Sequence, residues 1–209
     1  MRRRIPEASW QVRSVFDGTP SAEWLDGVDG FVIGGSGSLS VLDDEVKVWR
    51  PGLRRLLDAA LDNDTPGLCI CFGHQFLAEH LGSRVHTDEA RKEAGTIEVD
   101  VVDRQDSLFA RLGAPHRAHA GHSDHVERVP EGARLLARTE RSPVQAFRVG
   151  QLLSVQFHPD LTASEARQRY EYAFGDGPEV QRAMAAFDES HDETNVRLMH
   201  EWALEAFPR

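Results

Sequence analysis

Two short stretches of the chain carry residue types able to perform nucleophilic chemistry. The first is Leu68-Cys69-Ile70-Cys71-Phe72-Gly73-His74-Gln75, where an apolar run passes directly into a helical pattern with Cys71 at the join. A sharp strand-to-helix turn lifts such a side chain to the carboxyl edge of a sheet. Gly73 follows where the turn leaves no space for a side chain. The helix beginning there directs unpaired amides and its positive dipole end at the thiol. Both favour thiolate, the reactive form. Cys69, by contrast, reads as a small core side chain. The second stretch is Val155-Gln156-Phe157-His158-Pro159-Asp160. An apolar strand would deliver His158 to the same sheet edge as a general base, with Pro159 pinning the backbone and Asp160 orienting the ring, the logic of a Cys–His–carboxylate triad. Gly34-Gly35-Ser36-Gly37, at another strand end, offers backbone amides for a developing oxyanion.

The elements that must position these groups are legible as alternating patterns. Residues 31–33 form a short apolar strand ending in the glycine turn. Val46, Trp49, Leu53, Leu56, Leu57, Ala60 and Leu61 follow helical spacing. Residues 63–66 break that helix, residues 67–71 read as a buried strand, and residues 72–81 as a helix ending near Gly82. Residues 96–102, 133–137, 144–149 and 152–157 are further strands, and residues 179–187 and 195–207 form a helical tail. This order predicts one α/β domain over 1–209, flavodoxin-like, with a central, mostly parallel sheet flanked by helices and a helical tail over 175–209. Residues 10–16 are the single strand candidate ahead of residue 31, so the first strand–helix unit of a doubly wound sheet is expected to be truncated.

Composition bounds the function. With 209 residues, 40% hydrophobic, the chain is long enough for a real core, and its net charge of −10 argues against a protein that grips nucleic-acid phosphates. No run approaches the roughly 18 apolar residues of a membrane helix, and the basic start Met1-Arg2-Arg3-Arg4 is not followed by the apolar stretch of a signal peptide. The only cysteines, Cys69 and Cys71, are poor disulfide partners at strand spacing, which fits a reducing, cytoplasmic setting.

Together, Cys71-Phe72-Gly73-His74-Gln75 and Phe157-His158-Pro159-Asp160 resemble the two signatures of class I (triad-type) glutamine amidotransferase domains, and their separation of 87 residues fits that family. Phe31-Val32-Ile33-Gly34-Gly35 is similar to its oxyanion-strand turn, Glu93 with Gly95 to its Glu-x-Gly element, and Gly121-His122-Ser123-Asp124 to its substrate-side segment. The resemblance covers roughly residues 28–160. It implies that Cys71 attacks the side-chain amide of glutamine, that His158 shuttles the proton and that Asp160 orients His158. It further implies that the amides of Gly35 and Phe72 form the oxyanion hole, and that Gln75, Gly121, Ser123 and Asp124 hold the amino-acid head. Three departures stand out: Asp160 where the family has glutamate, Cys69 where it has glycine, and the short front end.

By the same resemblance the product ammonia passes to a synthetase. No phosphate-binding glycine loop of the Walker or pyrophosphatase type occurs in the chain. A separate synthetase subunit, as in two-subunit GMP synthases, is therefore the expected partner. A stand-alone γ-glutamyl peptide or amide hydrolase, and a non-catalytic module, are the alternatives. No cofactor is implied. His116, His119, His122 and His125 recur at a spacing of three, but a strand would send them to opposite faces and no cysteine or carboxylate cluster has zinc-site spacing, so no metal site is expected. Arg2–Arg4 reads as a solvated terminus, residues 188–193 as an exposed acidic connection, and the tail stripe of Val196, Met199, Ala203 and Ala206, with Leu198 and Trp202, as core packing.

Overall fold

The computed structural model describes residues 4–112 and 115–208. Strand β1 (Phe31–Ile33) leads through a 3-10 segment (Asp44–Val48) into helix α1 (Arg50–Asp62), and β2 (Gly67–Ile70) leads directly into α2 (Phe72–His80). There follow β3 (Val85–Thr87), β4 (Glu93–Val101), the short α3 (Phe109–Leu112), β5 (His116–His122), β6 (Asp124–Val126), β7 (Arg134–Arg138), β8 (Ala146–Val149) and β9 (Leu152–Val155). The tail forms α4 (Ala163–Phe174), α5 (Pro178–Ala185) and α6 (Asp192–Ala206).

Seven strands make one sheet in the order β1-β2-β9-β8-β7-β4-β5, and β3 pairs with β6 apart from it. The α/β architecture and helical tail are as expected from the sequence, but the sheet is mixed, not mostly parallel. Parallel pairing joins only β1, β2 and β9; every other ladder in the large sheet is antiparallel. The reason lies in the connections. Val149 pairs with Leu152 across Gly150-Gln151, with Gly150 at φ +51°, so β8 and β9 form a two-residue hairpin that leaves no room for a crossover helix.

Helices cover both faces. On one side Leu53, Leu57 and Ala60 of α1 and Phe76, Leu77 and Ala78 of α2 pack with Cys69 and Phe147. On the other, Leu198, Met199, Trp202 and Ala203 of α6 pack with Leu68, Ile70, Leu153 and Val155. The tail stripe is thus core packing, each buried leucine contributing about 2 kcal/mol. All four residues of β2 are buried, as a strand covered on both faces requires.

The expected strand at residues 10–16 does not form. Trp10 packs on the core and donates its indole N–H to the Ile5 carbonyl, whereas Val12 and Phe16 are exposed, and no described strand pairs with the segment. Helix α4 is present where the sequence reading placed no element. Arg2 and Arg3 lie outside the described residues; Arg4 pairs with Glu165 and is not free in solvent. No described helix is long and apolar enough to cross a membrane.

Candidate active site

Cys71 stands between β2 and α2 with φ +51° and ψ −102°, one of two non-glycine residues described at positive φ. Backbone strain of this kind costs about 1–3 kcal/mol and persists only where surrounding structure enforces it. Here the Cys71 N–H extends the β2–β9 ladder to the Val155 carbonyl (2.9 Å), while its carbonyl already accepts from Gln75 N–H (3.0 Å) as the first bond of α2. The reversal separates two thiols that regular strand geometry would send to one face. Cys69 enters the core beneath α1 and α2; Cys71 packs toward the opposite cluster and is partly accessible. Gly73 is required because a Cβ there would stand 2.4 Å from the Ile33 carbonyl oxygen.

His158 lies just beyond β9, its N–H bonded to the His119 carbonyl at 2.7 Å. Its Nδ1 is 3.0 Å from Asp160 Oδ1, and the ring is hydrogen-bonded to Cys71. Burial alone would favour the neutral ring, but Cys71 and Asp160 together overcome it and raise His158 to about 10. Burial likewise opposes the Asp160 charge; His158, and Arg169 at 3.5 Å from Oδ2, hold that carboxyl below the usual range. The carboxylate, shorter by one methylene than the family's, still reaches the ring. Cys69 shows the contrast: burial with no compensating charge pushes its thiol up to about 12.

Cys71 and His158 open into a cavity of about 60 Å³ whose wall includes Gly35, Gly121, Arg169 and Tyr170. Phe72 begins α2, which has no side-chain cap, so its first amides lie free of intrahelical partners beside the thiol. A larger cavity, about 430 Å³, lies under β1 among Trp24, Phe31 and Leu53 and touches Gly35 and Phe72, but neither Cys71 nor His158 lines it.

The structure thus gathers Cys71, His158, Asp160, Gly35, Phe72 and Gly121. Gln75, Ser123 and Asp124 stand behind this cavity and do not line it. Gln75 is buried, its amide donating to the Asp124 carbonyl (3.3 Å) and to Gln156 Oε1 (3.2 Å). The Asp124 carboxylate accepts from the hydroxyls of Ser40 and Thr87. The Ser123 carbonyl accepts from Asp88 N–H (2.9 Å).

The histidine series divides among four environments. His116 is buried against Phe157 without a polar partner, and His119 bonds Thr96 and Asp192. His122 meets Glu93 at 3.1 Å, and His125 is buried beside His122. No group of three metal-binding side chains gathers among the described residues. Three groups the sequence reading did not single out approach the site: Arg169, Asp192 and Asn195. The helix bearing Arg169 was detectable, since Thr162 and Glu165 form a capping box at its start; Asn195 has no such signal.

Comparison with known proteins agrees with this geometry. The model of the glutamine amidotransferase class-I family matches residues 13–176. A glutamine-hydrolyzing GMP synthase subunit from Thermococcus kodakarensis is 38% identical over 104 residues, 49% of this chain and 54% of that one. Its namesake from Sulfolobus acidocaldarius is 34% identical over 148 residues, 69% of this chain and 74% of its own. The match thus spans about half the length of the first relative and about three quarters of the second. A glutamine amidotransferase crystal structure from Methylobacillus flagellatus shares the fold with a TM-score of 0.78 at 20% identity, over 99% of this chain and 89% of that one. The chain belongs to the class-I glutamine amidotransferase family, hydrolases built on a catalytic cysteine.

Proposed function

We propose that this chain hydrolyses the side-chain amide of glutamine through a Cys71 thioester, giving glutamate and ammonia. The observation that carries the reading is the backbone reversal at Cys71, which presents its thiol to the His158–Asp160 pair. The Cys71 sulfur attacks the amide carbon, and the amides of Gly35 and Phe72 stabilise the oxyanion. His158 gives its proton to the departing nitrogen, so ammonia leaves and the thioester remains. Water then attacks the thioester, His158 takes up its proton, and glutamate departs as the C–S bond breaks. Gly121 faces the cavity, and Gln75, Ser123 and Asp124 set the segment that receives the amino-acid head. The GMP synthase relatives favour delivery of the ammonia to a separate synthetase chain, in a cytoplasmic setting and without a cofactor.

A diazo-ketone glutamine analogue, followed by mass spectrometry, tests the pocket. The expected result is one adduct on Cys71, prevented by excess glutamine and absent from Cys71→Ala. Failure to label Cys71, or equal labelling of Cys69, overturns the glutamine reading. If γ-glutamyl amides protect Cys71 and glutamine does not, the hydrolase alternative replaces it.

A further inference from the structure

The loop that carries His158 and Asp160 belongs to no strand or helix, and Pro159 within it has no N–H to donate. Its geometry is set from the tail. Asn195, wholly buried in the first turns of α6, donates its amide to the carbonyls of both His158 and Leu161, each at 2.8 Å. Its Oδ1 accepts the His119 N–H at 3.2 Å, and the His119 carbonyl accepts the His158 N–H. One side chain therefore holds the two ends of the loop and the β5 residue that holds His158 from the other side. At the start of the same helix, Asp192 accepts from Ala163 N–H (2.6 Å) and lies 2.8 Å from His119 Nε2. These groups lie beyond residues 13–176, the segment the family model matches.

We propose that Asn195, supported by Asp192, is a positioning residue of the reaction: it fixes the loop bearing His158 and Asp160 against β5, so that the tail helix takes part in catalysis. This rests on the Cys71–His158 reading above. Two carbonyls and one amide depend on Asn195, and both of its N–H groups are used. Asn195→Asp keeps the shape and the acceptor but loses both donations, freeing the loop without opening a cavity.

The test compares wild type, Asn195→Asp and Met199→Ala, the last a buried core residue of α6 with no place in the loop. Asn195→Asp is expected to slow diazo-ketone labelling of Cys71 about 10- to 100-fold and to lower the NMR titration midpoint of His158. Met199→Ala is expected to lower Tm while changing neither. A folded Asn195→Asp that labels at the wild-type rate with an unmoved His158 midpoint overturns the proposal. Equal slowing in Met199→Ala overturns it too. If Asn195→Asp does not fold, Asp192→Asn serves in its place. It should act in the same direction, and unchanged labelling and midpoint would again overturn the assignment. Absence of labelling in wild type defeats only the glutamine reading, because the His158 titration still decides whether the tail positions the ring.

Discussion

Gly35 and His158 meet across the cavity at Cys71: a methyl group on Gly35 would stand 2.7 Å from His158 Cε1, 3.4 Å from Nε2 and 3.6 Å from Cys71 Cβ. The glycine thus keeps the imidazole against the thiol while leaving its own amide open toward the cavity. Space, not a left-handed backbone, dictates the residue.

Gly35→Ala should therefore fold and lose function. The new Cβ must push the imidazole aside, and a displacement near 1 Å at reacting groups costs on the order of 100-fold in rate. Glutamate release and diazo-ketone labelling would both fall by about that factor while the circular dichroism stayed native. Labelling at the wild-type rate would mean that His158 has another productive position.

The two thiols should separate cleanly by chemistry. Cys69 is fully buried with its thiol pushed up to about 12, so it stays protonated and inert, whereas Cys71 faces the cavity beside His158. Iodoacetamide at neutral pH is expected to modify Cys71 alone, with Cys69 reacting only after denaturation. Peptide mapping decides this, and reaction of Cys69 in the folded chain would contradict its burial.

The nucleophile region was legible because its constraints are local. An apolar run, a glycine two residues after the cysteine and a helical pattern encode the turn, and Gly73 answers to the nearby Ile33 carbonyl. Sheet direction was less accessible: residues 146–149 and 152–155 are equally apolar in parallel or antiparallel pairing, and only the glycine-bearing two-residue gap marks the hairpin. The role of Gly95 was hidden for a different reason. Its φ of +112° and the 2.5 Å approach of Ala186 to its missing Cβ reflect docking of the tail on β4. Asn195 is 37 residues from His158 and 76 from His119, so no local pattern announces the contact.

Acid should destabilise the fold before the carboxylates titrate. His74 is lowered to about 3, and His116 and His125 to about 4, each chiefly by burial. The unfolded chain takes up these protons near pH 6.5 and the folded chain does not, so stability is complete above that pH and falls as pH drops toward 4. His116 has no polar partner, so His116→Leu should flatten the slope by about 1.4 kcal/mol per pH unit in that window. Urea unfolding at pH 7.5, 6 and 5 measures the slope, and equal slopes for the two proteins would refute a buried neutral His116.

Glu93 anchors the polar layer behind the cavity. Only 5% exposed, it accepts from Thr139 Oγ1 (2.8 Å) and Gln145 Nε2 (2.5 Å) and faces His122 Nε2 at 3.1 Å; His122 Nδ1 and Gln75 both reach the Asp124 carbonyl. Burial opposes its charge, but His122 and Thr139 hold the carboxyl below its usual range. Its contribution is therefore present above the ordinary carboxylate pKa and lost as pH falls through the lowered value. Glu93→Gln should cost about 3 kcal/mol at neutral pH, because it leaves His122 without its anionic partner in a buried site. The double variant with His122→Gln should cost less than the sum of the two single changes, since they break one interaction. Urea titrations of the four proteins give the coupling directly. Additive losses at neutral pH would show that Glu93 and His122 act independently, leaving Gln145 and Thr139 as the partners that hold the carboxylate.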